Sequence, residues 1–421
     1  MAIEEIRREE TAEGRRTQIL DYVRELKAHS EQHFTSIRKE FPQLYDLYRG
    51  TLSGKYTPHR NNVHIPLIFS TIQSDVARKT QASFGGWPAV SFIGYSPEDA
   101  PIARKREALI GAQMKDAQSF IKAYDLFLTG DLYGTAVAQW GWCRKDQNMQ
   151  ISYMDVLPVT GESVQIAETR RVTMFDGPDW KVWDPLDCFP QPGVREIAEM
   201  GWFITREYLD LDVVRMMSEV GPGDRSVFDR SEVQRMEREG GGDTRASDDY
   251  KNWRNMGRNL MDQDARLKEQ HARVIEIWTF WGRLPRELAP DGIVDRVITV
   301  ANERYILRNR PNPFWNGKKP LLQYSPMPDP HYFWAPGKAE VAKKLQIVAN
   351  RFTNQQLDAL DLFIDPVFFH HSDAGLNTDS LYIRPGKWIE TDIPPSEAIM
   401  PLIPNLSGVQ MGGQMTEVLW R

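Results

Sequence analysis

The sequence predicts an α+β protein in which helices come first, strands fill the middle, and one long helix stands near the end. Three observations carry that reading. Residues 3–50 repeat Glu with Arg or Lys at i, i+3 and i+4 around a sparse apolar set, Ile19, Leu20, Val23, Leu26, Phe34 and Ile37. From Gly134 the pattern changes to alternation, with Ala136, Ala138, Trp140 and Trp142 on one side. Between Ala335 and Phe369 a Pro-Gly start opens a run of about seven turns without Pro or Gly, ending at Asp365-Pro366.

Taken in order, Phe41-Pro42 is expected to break the first helical run, with Leu44, Tyr45, Leu47 and Tyr48 beginning another turn or two. A loop covers Gly50 to Arg60, and Asn61-Asn62 makes a turn. Val63 to Phe69 leads into a helix that stops at Gly85-Gly86. The stretch AVSFIGYSP reads as a short strand, and Ser96-Pro97-Glu98-Asp99 as the start of a long helix reaching about Thr129. Separate strands are expected over Asp131–Trp142, Met149–Val156 and Arg170–Phe175, the last closed by a Gly177-Pro178 turn. WKVWDPLDCFPQPG is a strand entering a Pro-rich loop, Trp202–Glu207 a strand, and Leu209–Val220 a helix. Residues 221–270 are charged, Gly-rich and poor in apolar residues, which reads as a partly disordered surface insertion. From Arg273 the chain returns to a meander, and a Pro-rich stretch, Pro311 to Pro336, leads into the long helix.

Composition narrows the function. A chain of 421 residues with 41% hydrophobic content buries a sizeable core and allows two or three domains. With 52 basic and 58 acidic side chains the formal charge is −6, which argues against a protein that grips nucleic acid by its phosphates. Cys143 and Cys188 are too few for a disulfide framework; both sit in apolar contexts and read as buried thiols. The N-terminus has no apolar signal region, and no run approaches the 18 apolar residues of a membrane span.

Within the long helix Val341, Leu345, Val348 and Phe352 fall at i, i+4, i+7 and i+11, one apolar stripe. Lys343, Gln346, Asn350, Asn354, Asp358 and Asp361 lie mostly elsewhere on its surface. The helix is about 40 Å long at 1.5 Å per residue. A polar rod with a narrow apolar seam suits packing beside copies of itself, with ordinary packing inside one chain as the alternative.

Catalytic chemistry finds little support. His370-His371-x-Asp373 has ligand residue types, but adjacent histidines point to opposite faces of a strand. His59 and His64 have no carboxylate at ligand spacing. There is no GxxxxGK[ST], GxSxG, HExxH or CxxC, and Gly240-Gly241-Gly242 lacks the strand and helix of a phosphate cradle. Asp184 and Asp187 form an acid pair whose plainer role is an Asx-type turn. No catalytic residue, metal ligand or cofactor is assigned.

The order of parts resembles the portal (head-to-tail connector) proteins of tailed bacteriophages, in the podovirus-like branch. The features that carry this are RNNVHIP, the Trp-rich strands, WDPLDCFPQPG, and GKAE…NRFTNQQLDAL…DP, together covering roughly residues 30–410. The resemblance implies residues 1–40 as an N-terminal helical arm and 41–335 as a mixed helical and β wing. It makes 336–363 the first stem helix, 364–404 a β-rich clip, and 405–421 the start of a returning stem helix. Family members continue from there into a tunnel loop and often a crown. It further implies a non-enzymatic ring, a dodecamer, at one capsid vertex of the virion, assembled in the host cytoplasm. Such a ring docks terminase, adaptor and tail proteins, contacts capsid and scaffolding proteins, and passes duplex DNA without membrane or cofactor. On that basis Val341, Leu345, Val348 and Phe352 become the subunit interface. Lys338, Lys343, Lys344 and Arg351 become candidate contacts to DNA in the channel, against a plainer role as paired or solvated surface charge. Phe368, Phe369, His370, His371, Tyr382 and Trp388 become the clip's docking surface. Two other classes remain: a different ring-forming virion component, such as a tail adaptor or baseplate subunit, and a metal-dependent nuclease built on Asp184 and Asp187.

Overall fold

The computed structural model describes residues 2–50, 61–86, 89–156, 163–219, 226–239, 274–289, 292–364, 368–370, 392, 394 and 399–401. They form a mixed helix and sheet protein of two compact units, Met1–Arg49 with Ile68–Val341, and Gly50–Leu67 with Ala342–Arg421. Among the described residues no helix is long and apolar enough to cross a membrane.

The first unit opens with α1 (Ala2–His33) and α2 (Thr35–Arg49). The break falls at Phe34, seven residues before the expected one, and α2 runs straight through Pro42. A mid-helix proline loses the hydrogen bond to the carbonyl four residues back, at a cost of about 3 kcal/mol. Burial of Phe41, Pro42 and Leu44 on one side of α2 offsets it. Helices α3 (Leu67–Phe84), α4 (Ala100–Asp116) and α5 (Ser119–Tyr133) follow. The single helix expected over 98–129 is divided at Ala117-Gln118, where Gln118 takes a left-handed φ of 53°. Residues 89–94, expected as a strand, belong to no sheet.

Strands β1 (Ala136–Val156) and β2 (Ser163–Trp183) make one long antiparallel ribbon rather than three short strands. Gly177 and Pro178 are not a turn but pair with Cys143 and Trp142 inside it. Cys143 is half-buried, unlike the buried Cys188. A short 3-10 turn, Pro185–Asp187, joins the ribbon to β3 (Cys188–Pro190) and β4 (Trp202–Asp210). Then come α6 (Leu211–Ser218), α7 (Arg230–Arg238), β5 (Val274–Arg283), β6 (Asp295–Ala301), β7 (Tyr305–Pro311) and β8 (Leu321–Tyr324). Part of the expected disordered insertion is therefore helix: α7 buries Val233 and Met236.

The core is a five-stranded antiparallel sheet, β3-β4-β5-β6-β7, and β8 adds to the root of β1 in a second sheet. Alternation along β5 sends Trp278 and Phe280 to one face and Ile275 and Ile277 to the other. Ile19, Leu20 and Val23 of α1 cover the first face. Val214 of α6 and Val233 and Met236 of α7 cover the second. Residues of the expected arm thus complete the sheet core.

The long helix α8 (Lys338–Ile364) begins in the first unit and continues from Ala342 in the second, where a segment without helix or strand, 61–66, lies along it. Beyond it β9 (Phe368–His370) pairs antiparallel with β10 (Ile399–Pro401).

Candidate functional site

Helix α8 starts from a tight backbone crossing. Gly134 adopts φ 89°, and a Cβ there would sit 1.8 Å from the Ala335 carbonyl oxygen. A Cβ on Gly337 would sit 2.6 Å from the carbonyl oxygen of Leu132. Two glycines let the ends of α5 and of the 333–337 segment touch main chain to main chain. Thr135 pins the crossing: its Oγ1 donates to the Phe333 carbonyl at 3.0 Å and accepts from Ala335 N–H at 3.0 Å. Phe333 and Trp334 are buried beside Phe41 and Phe203 in an edge-to-face aromatic cluster.

Directly after the crossing, Lys338 enters a charge quartet built around a buried carboxylate. Asp131 is fully buried on α5. Lys79 Nζ lies 2.5 Å from Asp131 Oδ1 and 2.7 Å from Asp75 Oδ2. Lys338 Nζ bonds Asp75 Oδ2 and lies 3.9 Å from Asp131 Oδ2. Two ammonium groups and two carboxylates cancel, which is what makes burial tolerable. Burial pushes the Asp131 carboxyl up, against the opposing pull of Lys79. Burial acts upward on Asp75 too, but hydrogen bonds from Lys338 and Lys79 hold it well below the usual carboxylate range. Lys79, which burial alone would lower, is held above the usual lysine value by its bonds to Asp131 and Asp75.

Further along α8, five polar side chains hold the 61–66 segment. Asn61 N–H donates to Asp358 Oδ1 at 2.7 Å, and Asn61 Nδ2 reaches Asp361 Oδ2 at 2.5 Å. Val63 N–H donates to Asn354 Oδ1 at 2.7 Å, and Asn354 Nδ2 returns a bond to the Val63 carbonyl at 3.1 Å. Ile65 N–H donates to Asn350 Oδ1 at 3.0 Å, and Gln346 Nε2 donates to the Ile65 carbonyl. The match is one of repeats. Four helical residues advance about 6 Å and two extended residues about 6.6 Å, so side chains at i, i+4 and i+8 meet alternate backbone groups. Sequence reading placed these side chains on the helix surface and missed their role. The four-residue spacing of Gln346, Asn350, Asn354 and Asp358 is the signal that could have shown it.

At 3.6 residues per turn the apolar stripe is centred about 170° around the helix from this ladder. Val341, Leu345 and Val348 are 63%, 56% and 42% exposed, and Phe352 is half-buried. Of the basic candidates, Lys338 is engaged in the quartet and Lys343 is half-buried. Lys344 and Arg351 are exposed and, seven residues apart, share one line of the helix.

Within the stretch expected to be a clip, β9 holds Phe368, Phe369 and His370 in register with Pro401, Met400 and Ile399. His371, Tyr382 and Trp388 lie outside the described residues, as do most of the expected β-rich clip and the returning stem helix. The acid pair is committed elsewhere: Asp184 Oδ1 accepts from Leu186 N–H at 3.1 Å, and Asp187 Oδ1 accepts from Arg206 Nε at 3.0 Å. Among the described residues no group of three or more His, Cys, Asp or Glu could hold a metal ion.

Residues 205–409 match the family model described as phage SU10 portal protein. The match runs from β4 through α8 to the β9–β10 pair, and it supports a tailed-phage portal protein. No curated protein matches the chain.

Proposed function

We propose that this protein is a tailed-phage portal protein, that it assembles into a ring by packing the apolar stripe of α8 against a neighbouring copy, and that the ring conducts viral DNA. The observation that carries the reading is the division of α8 into two opposite faces. Its polar ladder is already occupied by residues 61–66 of its own chain, while Val341 and Leu345 are more than half exposed and Val348 is 42% exposed. Fully burying a Val or Leu side chain is worth about 1.5–3 kcal/mol, so a line of them at helical spacing favours a protein surface over water.

Function as a conduit follows from charge. Each phosphate neutralised by Lys or Arg adds affinity that a sliding duplex must break. A chain with net charge −6 binds DNA weakly overall. Lys344 and Arg351, one line of exposed cations about 10 Å apart, supply spaced contacts rather than a continuous grip. The role at the capsid vertex, in packaging with terminase and in ejection, and the docking of adaptor or tail proteins on the clip residues Phe368, Phe369, His370, His371, Tyr382 and Trp388 complete the proposal. So do dodecameric closure and contacts with capsid and scaffolding proteins.

Class averaging of the purified protein by electron microscopy, with native mass, tests it. Closed rings with a channel wide enough for duplex DNA are expected. Rings of six or fewer copies would favour a tail-adaptor or baseplate component. A persistent monomer at high concentration would remove the α8 packing argument.

A further inference from the structure

Residues 89–95, Ala-Val-Ser-Phe-Ile-Gly-Tyr, have the composition of a strand without the pairing of one. They belong to no helix or sheet, and among the described residues no backbone–backbone hydrogen bond reaches them. Phe92 N–H anchors them by donating to Glu107 Oε2 on α4 at 3.2 Å. Ile93 is 90% exposed and Tyr95 fully so. The same unit also carries a strand edge without a strand. Among the described residues β2 lies at the margin of its sheet, paired with β1 alone, and Thr169, Arg170, Thr173, Met174 and Asp176 are exposed along it. The margin of the five-stranded sheet is different, because Asp229 N–H already bonds the Leu307 carbonyl of β7.

We propose that residues 89–95 of one copy add as an antiparallel strand to the open edge of β2, over 169–176, in the next copy. This rests on the ring reading above and supplies it with a second contact. The chemistry is strand addition: backbone N–H and C=O groups on both sides satisfy each other, and alternate side chains set the register. Charge sets the direction. Laid antiparallel, 89–95 brings Tyr95 opposite Arg170 and leaves the exposed acid Glu98 just past that basic end of the acceptor, whereas a parallel arrangement would carry Glu98 past the acidic end at Asp176. Donor and acceptor are different surfaces of one chain, so the contact is head-to-tail and propagates until it closes, as a ring requires.

Hydrogen exchange on assembled rings and on monomer of the full chain tests the pairing. Amides of 89–95 and of 169–176 are expected to become protected at least tenfold on assembly. Rings in which 89–95 exchanges as fast as in the monomer would overturn this inference and leave α8 packing standing; the absence of any ring would sink both. Protection on the outer edge of β1 instead of β2 would overturn the acceptor assignment. As a second measurement, Glu98→Lys and Arg170→Glu should each lower ring yield severalfold, and the double variant should restore it. Singles without effect, or a double no better than the singles, would count against the pairing of Glu98 with Arg170.

Discussion

Asn354 binds Val63 through both of that residue's backbone groups, accepting its N–H at 2.7 Å and donating to its carbonyl at 3.1 Å. A side-chain amide with a donor and an acceptor side by side thus takes the place of a neighbouring strand. Asn is a poor residue for a helix interior, so its placement at mid-helix has this compensation. Asn354→Ala removes both bonds from a partly exposed site and should lower the local stability of the 61–66 segment by about 1–2 kcal/mol. Amide exchange at Val63 and Ile65 should accelerate roughly 5- to 30-fold while sheet amides of β5 stay unchanged. Equal protection in variant and parent would mean that other contacts hold the segment.

The crossing at Gly134 gives a sharper outcome. Gly134→Ala places a methyl group 1.8 Å from the Ala335 oxygen at a φ of 89°, so the backbone itself must move. A loss of at least about 3 kcal/mol is expected, seen as a lowered Tm in thermal unfolding. Gly141, inside β1, has open space where its Cβ would sit. Gly141→Ala should leave Tm nearly unchanged.

What was legible in the sequence divides along physical lines. Helix α8 is expected over Lys338–Phe363 and found over Lys338–Ile364, because its punctuation, Pro336-Gly337 and Asp365-Pro366, is local. The β5–β7 meander was legible too, since its strands are rich in β-branched and aromatic residues and polar turns separate them. The β1–β2 ribbon was not. Beyond Gln139 it pairs with no third strand among the described residues, so Arg144 to Asn148 can be polar throughout and read as a break. The ladder on α8 was hidden for a different reason: its partner lies nearly 300 residues earlier in the chain, and no periodicity within a helix names a distant segment. Pro42 misled because tertiary burial outweighed a local rule.

The quartet of Asp75, Lys79, Asp131 and Lys338 should behave as one unit. Lys338→Met leaves two carboxylates facing one ammonium, with Asp131 fully buried, and should cost about 2–4 kcal/mol. Adding Asp131→Asn rebalances the charge, so the double variant should be more stable than the sum of the two single losses predicts by about 1 kcal/mol or more. The pH dependence has a definite sign. Asp75 has a folded pKa below its unfolded value, so its contribution is present above the ordinary carboxylate range and fades as pH falls through the lowered value. Lys79 has a raised folded pKa; its contribution is complete below the ordinary lysine value and is lost as pH rises through the raised one. Asp131 is raised and runs opposite to Asp75, favouring the folded state more as pH falls. The penalty of Lys338→Met should therefore shrink on acidification, as Asp131 takes up a proton. Denaturant unfolding at neutral and mildly acidic pH measures this, and a penalty independent of pH would show that the four groups are not coupled.

The two faces of α8 allow assembly and DNA contact to be separated. Leu345 is 56% exposed, so Leu345→Asp should alter the stability of the monomer by no more than about 0.5 kcal/mol. In a ring the same carboxylate would be buried against an apolar neighbour without a partner, at a cost of several kcal/mol per interface. Ring yield should collapse while Tm of the monomer holds. Lys344 and Arg351 lie off that stripe and are exposed. Changing both to Glu should leave ring yield intact and weaken retention of duplex DNA, with the logarithmic salt slope falling by about 0.9 for each phosphate no longer neutralised. Gel-filtration profiles and DNA retention at two salt concentrations separate the outcomes. Loss of rings in the Glu variants would place these cations at the subunit interface, and an unchanged salt slope in intact rings would place them away from the DNA path.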